Sequence, residues 1–178
     1  MSPAGRRISM LAVAASLAGA CTPTVSTMKQ YRHDAPATAR LAHDAAAICH
    51  CLRVTGEFPP RAFTTDGCSA SPDRDWGDCC VEHDIAYWCG GSKEDRRAAD
   101  RRLVACVEAK GHSKSWANFM RLVVGAGGQP QSPMPWRWAY GWSGIRGYEK
   151  RSGPENPDSC FAPPSLDISG AAADSFAQ

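Results

Sequence analysis

Four stretches with helical periodicity, nine cysteines in 178 residues and an apolar leader together predict a mainly α, disulfide-stapled domain of an exported protein. The length suits one domain of ordinary size. At 43% hydrophobic and 21% charged residues, the composition is globular rather than disordered or fibrous. A formal charge of +2 is too small for a basic nucleic-acid surface, so no nucleic-acid partner is expected.

Residues 1–20 read as a signal peptide. Arg6 and Arg7 form its basic region, and Ile8 to Ala20 is apolar apart from Ser9, Ser16 and Gly19. Removing it takes away two arginines and no acidic residue, which brings the charge from +2 to zero. Ala18-Gly19-Ala20 before Cys21 resembles a bacterial lipobox, with Ala18 where leucine is usual. Cys21 would then carry lipid; Ala18-x-Ala20 also suits ordinary signal peptidase at the same bond. With Cys21 set aside, eight cysteines remain, an even number as a disulfide framework requires. Thr22 after Cys21, by resemblance to Gram-negative lipoproteins, favours the outer membrane over inner-membrane retention. Ordinary cleavage would give a periplasmic or secreted protein. Residues 21–36 read as a lipid-anchored or flexible tether.

The domain proper is expected over 37–148. Leu41, Ala45, Ile48 and Leu52 mark a first helix over 37–53. Gly56, Pro59, Pro60, Gly67 and Pro72 make 55–75 a loop region. A second helix over 78–88 stops at Cys89-Gly90-Gly91. Ser92, with Asp95 three residues later, resembles a capping box opening a third helix over 93–110. Its arginine-rich exterior is most simply a solvated face. Trp116, Phe119, Met120 and Val123 mark a fourth helix over 115–124, and 125–135 reads as loop. From Trp136 to Trp142 aromatics alternate with a period of two, which predicts a short Trp-rich strand or extended segment. These aromatics suit a membrane interface or a core. The chain has few other large apolar residues, which favours core. Residues 149–178 read as a C-terminal tail, partly disordered, with Cys160 as its anchor.

The chemistry concentrates in Asp78-Cys79-Cys80-Val81-Glu82-His83-Asp84-Ile85-Ala86-Tyr87. Adjacent cysteines on a helix point in different directions, so they need different partners and would fix the helix on both sides. His83 and Tyr87, four apart, share a face. A rigidly held histidine beside a carboxylate suits a general base or a metal site. The five histidines show no zinc spacing, and no Cys-x-x-Cys occurs.

This run resembles the active-site helix of secreted phospholipases A2, Cys-Cys-x-x-His-Asp-x-Cys-Tyr, with Ala86 in place of one cysteine. On the next helix the family carries Cys-Asp and a cysteine six residues after the aspartate. Here Ala99 precedes Asp100, and Cys106 follows. The two cysteines replaced by alanine are bonded to each other in the family, so their joint loss leaves no orphan thiol. The resemblance covers about 30 residues and is specific there.

It implies a phospholipase A2-like fold in which two antiparallel, disulfide-linked helices carry the site. It implies calcium-dependent hydrolysis of the sn-2 ester of glycerophospholipids, with a phospholipid membrane or micelle surface as partner. His83 would be the general base, Asp100 would fix its tautomer, and Tyr87 would hydrogen-bond to Asp100. Asp84 would be a calcium ligand. The upstream run Thr65-Asp66-Gly67-Cys68-Ser69 is closer to bacterial and fungal members than to the animal loop, and carries ligand roles to Asp66 and the Gly67 carbonyl. The resemblance pairs Cys79 with Cys106 and Cys68 with Cys80. Cys49 and Cys51 would each take one of Cys89 and Cys160, in an order left open. Two alternatives remain: a catalytically inactive envelope protein that binds lipid or a protein partner on the same scaffold, and a hydrolase of another ester.

Overall fold

The computed structural model describes residues 34–161 apart from positions 55, 70 and 72. The expected signal peptide, the lipidation site Cys21 and most of the tether lie outside the described residues, as does 162–178. Four helices form the scaffold: α1 (Ala35–Leu52), α2 (Gly77–Cys89), α3 (Lys93–Ala109) and α4 (Lys114–Gly127). Short 3-10 turns occur at Arg74–Trp76 and Pro157–Phe161.

Local chemistry sets the boundaries. Asp34 accepts from the Ala37 amide at 2.8 Å, and Pro36 in the first turn needs no donor there, so α1 starts at Ala35. The expected capping box is formed: the Asp95 amide donates to Ser92 Oγ at 3.1 Å, and the Ser92 amide to Asp95 Oδ2 at 2.9 Å. Gly90 and Gly91, with φ of 76° and 136°, turn the chain between α2 and α3. With so short a connection, α2 and α3 pack as antiparallel neighbours. α4 runs through Gly127 rather than stopping near Val124, because its glycines still bond within the helix.

One core cluster joins the inner face of α1 (Leu41, Ala45, Ile48, Leu52) to Val81, Ile85 and Trp88 of α2 and to Trp138, Tyr140 and Trp142. A second packs Leu103 and Val107 of α3 against Ala117 and Met120 of α4, beside Trp76. Four disulfides cross-link the elements: Cys49–Cys89, Cys51–Cys160, Cys68–Cys80 and Cys79–Cys106. The last two are those the resemblance implies; the first two settle the open pairing.

The Trp-rich segment is not extended. There is no strand among the described residues, and 136–142 is a run of turns with Ala139 at φ 64°. The reason lies at the end of α2, whose last carbonyls have no partner within the helix. The Ala139 amide donates to Tyr87 O at 2.7 Å, the Gly141 amide to Trp88 O at 3.2 Å, and the Trp142 indole to Cys89 O at 2.9 Å. Hydrogen bonds to a helix end replace a ladder, and Trp138, Tyr140 and Trp142 are buried. The chain stays docked beyond residue 148. The Glu149 amide donates to Gly91 O at 3.0 Å, Arg151 pairs with Asp95 at 3.0 Å, and Phe161 is buried.

Candidate active site

The facing sides of α2 and α3 bring the expected residues together. His83 and Tyr87 lie one turn apart on α2, and Asp100 faces them from α3. His83 Nε2 is 3.2 Å from Asp100 Oδ1, and the Tyr87 hydroxyl donates to the same oxygen at 2.8 Å. All three side chains are buried. Asp100 Oδ2 accepts from Arg96 Nη1 at 3.0 Å. Each of these groups treats Asp100 as an acceptor, so Nε2 carries the imidazole proton. The lone pair is then left on Nδ1. Its nearest carboxylate oxygen, Asp84 Oδ1, is 3.9 Å away, beyond hydrogen-bond length. Cys79–Cys106 ties the two helices together one turn before His83.

Cys68–Cys80 draws the 65–69 loop onto α2. Thr65 Oγ1 donates to Asp84 Oδ2 at 2.6 Å and accepts from the Gly67 amide at 3.0 Å. Gly67 has φ 74°, and a Cβ there would lie 2.2 Å from Asp73 Oδ1, so the loop demands glycine. Asp66 Oδ1 accepts from Ser69 Oγ at 2.6 Å, and the Gly67 carbonyl accepts from the Ser69 amide at 3.1 Å.

Burial pushes the Asp84 carboxyl up to about 6, against the pull of His83 and Thr65 and with the charge of Asp66 adding to the rise. Burial also raises Asp66, with Asp73 adding to it. Burial works against the His83 imidazolium, but the carboxylates of Asp100 and Asp84 outweigh it and raise His83 above 6.5. Tyr87 is held well above its ordinary value by burial and by Asp100, so it acts as a neutral donor.

The expected calcium ligands can be tested on this geometry. Asp84 and Asp66 are two mutually repelling carboxylates, with Thr65 Oγ1 on the first and the Gly67 carbonyl next to the second in sequence, oxygen donors of the kind a hard cation takes. Among the described residues, no three His, Cys, Asp or Glu side chains converge as a metal cluster. A cation here would therefore draw on carbonyl oxygens and water as well as on the carboxylates. In that sense the residues fit calcium.

His83 and Asp84 form part of the wall of a cavity of about 310 Å³, completed by Gly67, Leu103, Trp116, Phe119, Met120 and Val124. Reading the sequence overlooked three contributors. Arg96 lies four residues before Asp100 on one face of α3, a spacing that could have revealed it. Thr65 reaches Asp84 across 19 positions, and α4 supplies the apolar wall; neither has a local signal. Compared with family models, with curated proteins and with solved structures, the chain matches none.

Proposed function

We propose that this chain is a phospholipase A2-like ester hydrolase acting on the sn-2 ester of glycerophospholipids with calcium as cofactor. One observation carries the reading: the His83–Asp100–Tyr87 cluster engages Nε2 of a histidine that lines a largely apolar cavity, which leaves Nδ1 outside the cluster. His83 Nδ1 takes a proton from a water whose oxygen attacks the ester carbonyl carbon. Asp100 stabilises the resulting imidazolium through Nε2, and Tyr87 and Arg96 hold Asp100 in place. His83 then returns the proton to the leaving alcohol oxygen as the C–O bond breaks, giving a fatty acid and a lysophospholipid. Calcium, when bound by Asp84, Asp66 and the Gly67 carbonyl, would supply charge stabilisation for the oxyanion and hold the substrate phosphate. The four disulfides fit export to an oxidising compartment, and no described helix is long and apolar enough to cross a membrane. An outer-membrane lipoprotein anchored through Cys21 is the localisation we propose.

A binding-only role has one specific observation in its favour. Asp66 and the Gly67 carbonyl are both engaged by Ser69 within their own loop. Fatty acid release from mixed micelles, with calcium, with chelator and with His83→Gln, decides between the two. The enzyme reading requires release that depends on both calcium and His83. Equal inertness of all samples leaves binding alone.

A further inference from the structure

Thr65 is 0% exposed and stands between the two parts of the chain that carry the expected calcium ligands. Asp84 lies on α2, whereas Asp66 and Gly67 follow Thr65 directly in the 65–69 loop. A threonine hydroxyl has one proton to give and two lone pairs. Here the Gly67 amide donates to Oγ1 at 3.0 Å, and the hydroxyl proton goes to Asp84 Oδ2 at 2.6 Å. One hydroxyl therefore holds the loop backbone on one side and the Asp84 carboxylate on the other. It does so across 19 positions, so the contact belongs to the tertiary fold and not to a local turn.

Two other ties secure the same junction. The buried Tyr140 hydroxyl donates to Thr64 O at 2.6 Å and lies 3.3 Å from Asp84 O. Cys68–Cys80 joins the loop to α2 a few residues further on. Both ties act on backbone positions, and neither reaches a carboxylate oxygen of Asp84. The orientation of that carboxylate falls to Thr65. With Oδ2 engaged, Oδ1 is the oxygen left open: it is 3.9 Å from His83 Nδ1, beyond hydrogen-bond length. A ligand fixed by a neighbouring hydrogen bond is ordered before the ion arrives, and losing such a partner typically weakens metal binding about 10–100-fold.

We infer that Thr65 is a positioning residue that sets the calcium affinity of this site, by holding the Asp84 carboxylate with Oδ1 open and the Asp66–Gly67 backbone against it. The inference rests on the calcium reading of the proposed function. It adds to that reading a residue that acts only through the ligands.

The test is calorimetric titration of calcium chloride into the purified chain as wild type, Thr65→Val and Thr65→Ser. Valine keeps the branched shape without the hydroxyl, and serine keeps the hydroxyl. We expect Thr65→Val to raise the calcium Kd by about tenfold or more, and Thr65→Ser by less than about threefold. In micelle hydrolysis the calcium needed for half-maximal rate should rise in step with the Kd of Thr65→Val, while kcat at saturating calcium falls much less. A threonine that merely supports the fold would give a different result: Thr65→Val would be less stable to urea in chelator yet bind calcium as wild type does. An equal Kd for wild type and Thr65→Val therefore overturns the inference and leaves the calcium reading standing. No calcium binding by wild type overturns both. Should Thr65→Val misfold by circular dichroism, Thr65→Ala takes its place with the same outcomes.

Discussion

Asp84 should be a residue that the fold retains at a cost to its own stability. Its carboxyl moves from 3.8 to about 6 in the folded chain, chiefly through burial. The folded state thus holds that proton more tightly by about two pH units, or ~3 kcal/mol at ~1.4 kcal/mol each. The sign follows from the direction. A carboxyl raised on folding leaves stability intact below 3.8 and removes it as the pH climbs through about 6. Asp84→Asn keeps an oxygen to accept from Thr65 and removes the charge. In chelator at pH 7.5 the variant should unfold later than wild type in urea, by up to ~3 kcal/mol against a total of about 5–15 kcal/mol for a domain. At pH 4 the two should nearly coincide. Calcium should narrow the gap: with a Kd of ~10⁻³ M, a tenfold excess adds ~1.4 kcal/mol to wild type and little to the variant, about half of the ~3 kcal/mol difference. The reasoning is refuted if Asp84→Asn is less stable than wild type at pH 7.5 in chelator, or if its advantage persists unchanged at pH 4.

Three further outcomes are expected. Because His83 is raised above 6.5, ester hydrolysis should fall on acidification with a midpoint above 6.5, read as kcat/KM against pH; a midpoint below pH 6 contradicts the dyad. Asp100→Asn should lower kcat by about 10⁴-fold, since an amide can donate to Nε2 and favour the wrong tautomer, while circular dichroism stays native; a loss under tenfold would remove Asp100 from the mechanism. Replacing Cys51 and Cys160 by serine opens a link spanning 109 positions and should cost about 2–4 kcal/mol in guanidinium unfolding. Activity at 25 °C should survive that change yet be lost with Cys79→Ser and Cys106→Ser, because only the second pair fastens the helices that carry His83 and Asp100.

The helices and the α3 cap were legible because their signals are local. Ser92 and Asp95 sit three apart, and each helix writes its apolar stripe into consecutive residues, whereas the Asp34 cap of α1 came only with the structure. His83, Asp84 and Tyr87 were legible through their order and spacing, Asp100 only through the resemblance, and the structure brings them to one place. Period-two alternation misled at Trp136–Trp142. Alternating aromatics describe a strand only if a neighbouring strand supplies hydrogen bonds, and here the open carbonyls of α2 took the donors instead.

The sequence by itself determined what depends on neighbours along the chain: four helices, the cap and glycine turn between α2 and α3, an even set of cysteines for the domain and a histidine–carboxylate run on one helix. Tertiary structure alone decided what depends on which surfaces meet. It matched Cys49 with Cys89 and Cys51 with Cys160, and it set Arg96 and Tyr87 on Asp100. It buried Trp138, Tyr140 and Trp142 in the core that the sequence favoured for them over a membrane interface, and it turned the apolar outer face of α4 to solvent beside the cavity. The physical reason is that a helix needs only its own backbone bonds to form. Burial, pairing and pKa are set by distances between residues that the chain keeps far apart until it folds.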